Sequence, residues 1–156
     1  MKLIIRKALP GDFDAIVRLN TQLANYHRQI DDYYKPGAQT AEGFRQFLQE
    51  IIEDENYSVL VAVAEDKTVG YFLGMITGAK PFLSPEKTGR ISDAFIEENY
   101  RNSGIGKMMF DELLQWFKAH QIEHLELSVD VRNEIGVNAW KKFGFEPFML
   151  KMKRKI

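Results

Sequence analysis

The sequence predicts a mixed α/β domain, and three observations carry this prediction. The first is the order of the patterns along the chain: a strand, two helices, three strands, and then a helix, a strand, a helix and a strand. The second is the apolar period, which is three to four residues in the helical segments and two in several of the others. The third is size, because 156 residues without repeats or Pro-, Gly- or Ser-rich stretches suit one domain, residues 1–156.

The first part of the chain predicts one strand followed by two helices. Residues 3–8 have the composition of a strand, and Pro10 and Gly11 end it before Asp12, a residue type that caps helices. Thr40 is the candidate cap of the second helix. The two apolar helix faces consist of Ile16, Leu19, Leu23 and Tyr26, and of Phe44, Phe47, Leu48, Ile51 and Ile52.

The rest of the chain predicts strands, two further helices and a closing strand. The β-rich runs 59–64 and 69–77 flank a short polar segment, which predicts an antiparallel hairpin. The elements expected after it are a strand over about 89–96, a long helix over 104–120, a strand alternating Leu125, Leu127 and Val129, a short helix over about 133–143 that ends at Gly144, and a strand over 145–153.

Composition excludes several classes of function. With 21 Lys and Arg against 22 Asp and Glu and a pI near 6.3, general binding to nucleic acid is disfavoured. The absence of Cys removes disulfides, thiolate zinc sites and cysteine nucleophiles. The absence of a signal-like leader and of a long apolar run predicts a cytoplasmic protein without a membrane span. His120 and His124 lack a third ligand, so we expect no metal.

Residues 91–107 predict an anion-binding loop. The segment runs from a strand through a turn into a helix, and at a helix start several main-chain amides lack partners within the helix. The helix dipole adds partial positive charge, so phosphate or pyrophosphate is favoured there. Gly104 and Gly106 permit close approach of an anion, and Arg101 and Lys107 can add positive charge at the rim.

Spacing excludes two common phosphate-binding motifs. A P-loop would require glycine at Arg101 and serine or threonine at Met108. A dinucleotide-binding fingerprint would require a third glycine at Met109. The sequence therefore supports neither nucleoside triphosphate nor NAD as the ligand.

Two motifs in this half of the chain resemble those of a known superfamily. Residues 100–106, YRNSGIG, resemble the Arg/Gln-x-x-Gly-x-Gly/Ala signature of the GNAT superfamily of acyl-CoA-dependent N-acetyltransferases. Further on, Asn133, Gly136, Trp140 and the pair Gly144-Phe145 resemble its closing pattern. The predicted order of elements also agrees with the superfamily over nearly the whole chain. The resemblance implies a GNAT fold, with a mixed central sheet, helices on both faces and one splayed pair of strands.

The resemblance implies that the cosubstrate is acetyl-CoA. By similarity, the main chain of Phe95 and Ile96 would pair with the pantetheine arm, and Asn133 and Asn138 would bond to the same arm. Asn133 can equally cap its own helix. The residues expected to hold the pyrophosphate are Arg101, Asn102, Ser103, Gly104, Ile105, Gly106 and Lys107.

Acetyl transfer to an amine requires that the amine lose a proton, because an alkyl ammonium group has a pKa of about 10.4. The resemblance makes Asp93 the candidate catalytic residue, since many members carry an acidic residue there. It would bind the ammonium group or accept its proton through water; the alternative is a solvated strand carboxylate. Strand alternation places Asp93 on the face of Ile91 and Phe95, unless a bulge intervenes.

Trp140 departs from the superfamily pattern. Many members carry a tyrosine there that protonates the leaving thiolate, and an indole N–H does not readily release its proton. Another group could serve, with Tyr71, Tyr100 and Ser128 as candidates, or none is needed, because a thiol of pKa about 8.5 leaves readily as the anion. A Trp140 in the core is compatible with function.

The acceptor is expected, by the same likeness, against the first two helices and their connecting loop. Carboxylates and aromatic faces there attract ammonium groups, and residues 1–78 carry 11 acidic against 8 basic residues. Because this acidic patch is compact, we expect a small-molecule primary amine. The alternatives are a protein N-terminus or lysine, and a non-catalytic acyl-CoA-binding regulatory module; a homodimer is left open. The candidate acceptor residues are Tyr26, His27, Asp31, Asp32 and Tyr33, and the alternative for them is a solvated loop.

Overall fold

A computed structural model describes all 156 residues and contains five strands and four α-helices. The strands form one sheet in the order β1-β2-β3-β4-β5, antiparallel except for the parallel pair β4 and β5. The elements are β1 (Leu3–Lys7), α1 (Phe13–Ile30), α2 (Gly37–Ile51), β2 (Tyr57–Ala64), β3 (Lys67–Gly78), β4 (Lys87–Ile96), α3 (Ile105–Ala119), β5 (Leu125–Leu127) and α4 (Glu134–Lys142). The mixed α/β prediction and the hairpin prediction are confirmed.

Helices cover both faces of the sheet. On one face α1 and α2 pack through Ile16, Leu19 and Leu48, which have no exposed surface. On the other face α3 packs through side chains one or two turns apart, which form a continuous apolar stripe. The fully or almost fully buried members of this stripe are Ile105, Met109, Leu113 and Phe117. The sheet is therefore the middle of three layers.

Two predicted helix caps differ from the structure. Asp12 lies directly before α1 but does not cap it, because its carboxylate binds the Arg6 guanidinium at 2.7 and 3.0 Å and the Leu9 amide at 2.7 Å. The helix α2 begins three residues before Thr40, at Gly37. A Cβ at Gly37 would lie 2.6 Å from Thr21, so only glycine permits this contact between α1 and α2.

The pair β4 and β5 splays apart, as predicted. Pairing covers only Gly89 to Ile91 on β4 and Leu125 to Leu127 on β5, although β4 continues to Ile96. Beyond Ile91, β4 therefore has a neighbour on the β3 side alone. This free edge leads directly into the turn before α3.

The predicted closing strand over residues 145–153 is wrong. Phe145 packs against Phe110 and Trp140, but residues 146–156, here called the C-terminal tail, form no strand. A strand requires a neighbouring edge, and no main-chain group of the tail bonds to another main-chain group. The alternating pattern indicates strand propensity without supplying a partner.

None of the helices is both long enough and apolar enough to cross a membrane.

Candidate active site

Six consecutive amides, those of residues 102–107, donate no hydrogen bond within the protein. We call this segment the anion loop. Asn102 and Gly104 adopt left-handed conformations, with φ of 57° and 86°, and such reversals turn successive amides toward one concavity. Gly104 is also the residue before α3, so the helix dipole adds its partial positive charge there. The predicted anion-binding geometry is present.

Arg101 and Lys107 lie at either end of the anion loop, but both side chains are already engaged. The Arg101 Nε donates to the Ile96 carbonyl oxygen at 2.8 Å, and its guanidinium lies 5.4 Å from the centre of the Phe95 ring. Lys107 pairs with Asp111 one turn along α3. Arg101 thus fixes the end of β4 against the loop, while the exposed Lys107 pair is weak and can exchange partners.

The free edge of β4 carries different main-chain groups from those expected. The Glu97 amide donates to the Val69 carbonyl of β3 at 2.8 Å, so by alternation Phe95 also directs its main-chain groups to β3. Ala94 and Ile96 then face the free edge, in agreement with the bond from Arg101 to the Ile96 carbonyl. Ala94 and Ile96, rather than Phe95 and Ile96, therefore direct their main-chain groups to the free edge.

A β-bulge in β4 decides which way Asp93 points. Gly74 of β3 pairs with Ile91 whereas Leu73 pairs with Asp93, so Ser92 is the extra residue. A bulge reverses the side-chain alternation that follows it. Ile91 accordingly packs with the α3 core, and Phe95 with the α1 and α2 core. Asp93 lies on the face of Phe95 and opposite Ile91, because the bulge intervenes.

Asp93 belongs to a hydrogen-bonded group with Tyr71 and Asn20, here called the polar cluster. The Tyr71 hydroxyl donates to Asp93 Oδ2 at 3.0 Å, and the Asn20 amide reaches the hydroxyl at 3.0 Å and the carboxylate at 3.3 Å. Burial raises the pKa of Asp93, and this shift is opposed by the hydrogen bond from Tyr71, by His27 when its ring is protonated, and by the hydrogen bond from Asn20. A carboxylate with a raised pKa is a stronger base than a solvated one.

His27 lies on α1, close enough to Asp93 of the polar cluster for the carboxylate charge to affect the pKa of the imidazole. Its ring stacks on Tyr34 at 5.2 Å between centroids and tilts against Tyr26 at 6.0 Å. Burial lowers the pKa of His27, and the charges of Asp93 and Asp130 offset part of this shift. The lowered pKa keeps the imidazole neutral at neutral pH.

Of the two acidic residues in the loop between α1 and α2, Asp31 is neutralised by its partners. Asp31 Oδ2 lies 2.9 Å from Arg132 and 3.1 Å from Lys153, and the Tyr33 amide donates to its other oxygen at 2.9 Å. These three contacts hold the pKa of Asp31 far below its usual range. Tyr33 is exposed and lies beneath Lys153, and the Asp32 side chain is exposed.

Two further contacts join α1 and its loop to the segment before α4. The Tyr26 hydroxyl donates to Asn133 Oδ1 at 2.9 Å, and the Tyr34 hydroxyl donates to Asp130 at 2.7 Å. Asn133 also caps α4, since the same oxygen accepts from the Gly136 amide at 3.0 Å. Its predicted capping role is confirmed. Asn138 is exposed on α4.

Trp140 is a partly buried residue that packs against the core. Its ring packs against Phe72, Phe143 and Phe145, with centroids 5.6 to 6.3 Å apart. The position that departs from the superfamily pattern therefore contributes packing on the α3 face.

Sequence reasoning missed the partners of the expected residues. Asn20 received no role, although its position one residue after Leu19 on the buried face of α1 could have signalled a polar group at the sheet. Asp130 and Arg132 were also missed. Arg132 bonds Asp130 and reaches across to Asp31, a pairing 101 residues apart that no local pattern reveals.

Comparison with known proteins now identifies the family. The model of the acetyltransferase (GNAT) family matches residues 20–145 of this chain. The chain belongs to that family. This membership makes it an acetyl-CoA-dependent N-acetyltransferase, as the two motifs predicted.

Individual relatives agree with this assignment. The chain is 27% identical to an N-alpha-acetyltransferase of Sulfurisphaera tokodaii, over 91% of this chain and 79% of that protein. A crystal structure of a mutant BH1408 protein from Bacillus halodurans is 28% identical, with a TM-score of 0.85 over 98% of this chain and 99% of that one. A predicted acetyltransferase of Clostridium acetobutylicum, solved with acetyl-CoA, is 17% identical over 99% and 96% of the two chains, and its TM-score of 0.78 shows the shared fold.

Proposed function

We propose that this acetyltransferase transfers the acetyl group to a primary amine of a small molecule, by direct attack within a ternary complex. One observation carries the proposal: β4 presents a free main-chain edge that leads into the anion loop at one end and holds Asp93 of the polar cluster close by. An amine bound at Asp93 would lie beside a chain held along that edge. The chemistry then requires only that the amine be deprotonated and correctly oriented.

The chain's own groups fit acetyl-CoA, which supplies the acetyl group as a thioester. We propose that the free amides of residues 102–107 bind its pyrophosphate and that the main chain of Ala94 and Ile96 pairs with its pantetheine arm. The Ile96 carbonyl already accepts from Arg101, so its amide is the available group. The side chains proposed to complete the site are Arg101, Ser103 and Lys107 around the pyrophosphate, and Asn133 and Asn138 along the arm.

Asp93 is the proposed proton acceptor. Its raised pKa favours uptake of a proton from the ammonium group, and its charge attracts that group before the proton moves. Tyr71 holds the carboxylate in place and stays protonated, because burial and the charge of Asp93 raise the pKa of Tyr71 well above its usual value. We propose that the proton passes from Asp93 to solvent, with His27 close enough for its charge to affect the carboxylate.

No general acid is assigned to the leaving thiolate. Trp140 packs against the core through aromatic contacts, and the Tyr71 hydroxyl donates to Asp93. A thiolate whose conjugate acid has a pKa of about 8.5 is a stable leaving group at neutral pH, and we propose that it departs without protonation by the protein.

The contacts across the acceptor side support a small acceptor. Tyr26 and Tyr34 bond to Asn133 and Asp130, and Arg132 bonds to Asp31, so three polar contacts join α1 and its loop to the segment before α4. A wide acceptor groove would require breaking them. Since Asp31 is neutralised, we propose that Asp93 rather than Asp31 or Asp32 attracts the amine, with Tyr26, His27 and Tyr33 around it.

A second candidate acceptor is the N-terminal amine of a protein. The observation that favours it is the similarity to the N-alpha-acetyltransferase of Sulfurisphaera tokodaii. An α-amino group has a pKa of about 7.7 to 8.0 and needs a weaker base than an alkyl amine does.

The experiment is an acetyl-CoA turnover assay that measures free thiol with a panel of small amines and of short peptides with free N-termini. We expect the highest kcat/KM among the small amines. Preference for peptides would replace the acceptor by a protein N-terminus. Tight acetyl-CoA binding by calorimetry without turnover on any acceptor would overturn the catalytic proposal in favour of a binding module.

A further inference from the structure

Asn20 presents a hydrogen-bond acceptor that no protein group uses. Its side-chain nitrogen, Nδ2, donates to the Tyr71 hydroxyl at 3.0 Å and to Asp93 Oδ2 at 3.3 Å, whereas its side-chain oxygen, Oδ1, accepts no hydrogen bond from the protein. Ser58 Oγ is the only buried side-chain polar atom without a partner, so Oδ1 of the half-buried Asn20 is accessible to solvent. The polar cluster therefore has an unused acceptor on its accessible side.

The hydrogen bonds of the polar cluster fix the orientation of the Asn20 amide. Tyr71 donates its one hydroxyl proton to Asp93, so its hydroxyl oxygen accepts from Asn20. The reverse orientation of the amide would place Oδ1 against that hydroxyl oxygen and 3.3 Å from a carboxylate oxygen, which is repulsive. Nδ2 must therefore face the cluster, and Oδ1 faces away from Tyr71 and Asp93 Oδ2.

Asp93 carries a second unused acceptor beside the first. The bonds from Tyr71 and Asn20 both reach its Oδ2, and its Oδ1 accepts no hydrogen bond from the protein and is not a buried atom. Asp93 directly precedes Ala94, whose main chain faces the free edge of β4. Two free acceptor oxygens, from two residues in direct contact, thus lie next to that edge.

Two acceptor oxygens match the hydrogen-bond donors of a primary amine. A neutral primary amine carries two N–H groups and one lone pair. When the two oxygens hold both N–H groups, the lone pair points away from them and is free to attack the thioester carbon. A secondary amine has a single N–H and leaves one of the two oxygens without a partner. A polar atom left unpaired in this way weakens binding of the transition state.

We propose that Asn20 determines specificity for primary amines: its Oδ1 accepts one N–H of the acceptor while Asp93 Oδ1 accepts the other. The two polar atoms of the Asn20 side chain then have different roles, because Nδ2 holds Asp93 and Oδ1 contacts the substrate. The inference rests on the proposed function of Asp93. It holds for small amines and for protein N-termini alike, since an amine with two N–H groups satisfies both oxygens.

A primary amine and its N-methyl derivative test the selection. Release of free thiol from acetyl-CoA is measured with the best acceptor of the panel above; a peptide acceptor is paired with the same peptide N-methylated at its N-terminus. We expect the wild-type chain to prefer the primary amine at least about tenfold in kcat/KM. Asn20→Leu should reduce this preference about five- to tenfold. Leucine is close to asparagine in size, so steric exclusion of the methyl group is retained and only the hydrogen bonds are lost.

The matched control is Tyr71→Phe, which removes a bond to Asp93 and leaves the bond between Asn20 and Asp93 in place. It should lower kcat/KM for both amines by the same factor. Asn20→Ala is measured as a second variant, and circular dichroism checks that each variant folds.

Three outcomes separate this inference from the proposed function. Equal losses on the two amines in Asn20→Leu or in Asn20→Ala would show that Asn20 acts only through Asp93, and would overturn the inference alone. A wild-type chain without preference for the primary amine would also overturn it. Absence of turnover on every acceptor would overturn the proposed function and this inference with it.

Discussion

The anion loop takes its six free amides from consecutive residues, 102–107, whereas the polar cluster takes one side chain each from α1, β3 and β4. The loop depends on main-chain conformation and on the absence of a side chain at Gly104. The cluster depends on the β-bulge at Ser92 and on contacts between residues 22 to 73 positions apart. Coenzyme binding should therefore be sensitive to local backbone changes, and catalysis to single side chains.

The largest expected effect separates catalysis from coenzyme binding. Asp93→Asn should lower kcat by about 10²- to 10⁴-fold, the usual contribution of a general base. The acetyl-CoA dissociation constant, measured by calorimetry, should change less than about twofold, because the main-chain groups of the anion loop are untouched.

The same variant should not be less stable at neutral pH. Burial raises the pKa of Asp93 in the folded protein, so ionised Asp93 opposes folding above that pKa and the neutral amide removes this cost. The control is Glu112→Gln, which changes an exposed carboxylate on α3. Unchanged kcat in Asp93→Asn would mean that Asp93 is not the proton acceptor.

The second largest effect is on coenzyme binding. Gly104→Val should weaken acetyl-CoA binding by about ten- to a hundredfold, because a β-branched residue resists the left-handed conformation at φ of 86° and its side chain blocks the anion. The fold should persist, since no protein atom lies within 4 Å of a Cβ at that position. Gly43→Val is the matched control, at an exposed glycine of α2 with equal space. Equal affinity in the two variants would contradict the assignment of the anion loop.

A smaller effect is expected within the polar cluster. Tyr71→Phe removes the hydroxyl that donates to Asp93 Oδ2 and accepts from Asn20, which leaves Asn20 with only its longer bond to Asp93. The free energy of unfolding should fall by about 1 kcal/mol. We expect kcat to fall about five- to tenfold and the pH midpoint of kcat to move upward, because the bond from Tyr71 lowers the pKa of Asp93. Tyr57→Phe, in a half-buried tyrosine that packs on Phe47, should change neither quantity.

The smallest effect concerns His27. Burial lowers the pKa of His27 from its ordinary value of 6.5, so the unfolded chain binds a proton more readily than the folded one. The free energy of unfolding should therefore fall as the pH drops through 6.5. His27→Gln should remove that part of the pH dependence, measured by thermal unfolding between pH 5 and pH 7.5. It should also lower kcat less than Asp93→Asn does. An unchanged pH dependence of stability would show that His27 is not a buried neutral imidazole.

The contrast between the local anion loop and the polar cluster of distant residues also explains which features could be predicted from the sequence. The anion loop was predictable because the glycine spacing and the helix start lie within seven residues, 101–107. The four helices and the first five strands followed from the apolar period, but the closing strand did not form. The orientation of Asp93 depends on a bulge that alternation alone cannot locate. The engagement of Asp31 depends on Arg132 and Lys153, about a hundred residues away in the chain. The tail shows strand propensity, but propensity does not reveal whether a partner strand exists.

The most direct test of the central claim follows the main-chain amides themselves. In two-dimensional NMR spectra of the ¹⁵N-labelled chain titrated with acetyl-CoA, the account predicts that the amides of residues 102–107 shift most and become protected from exchange with water. Amides at equally exposed positions of α2 should not respond. Saturable binding that leaves residues 102–107 unshifted would contradict the claim that these amides hold the coenzyme.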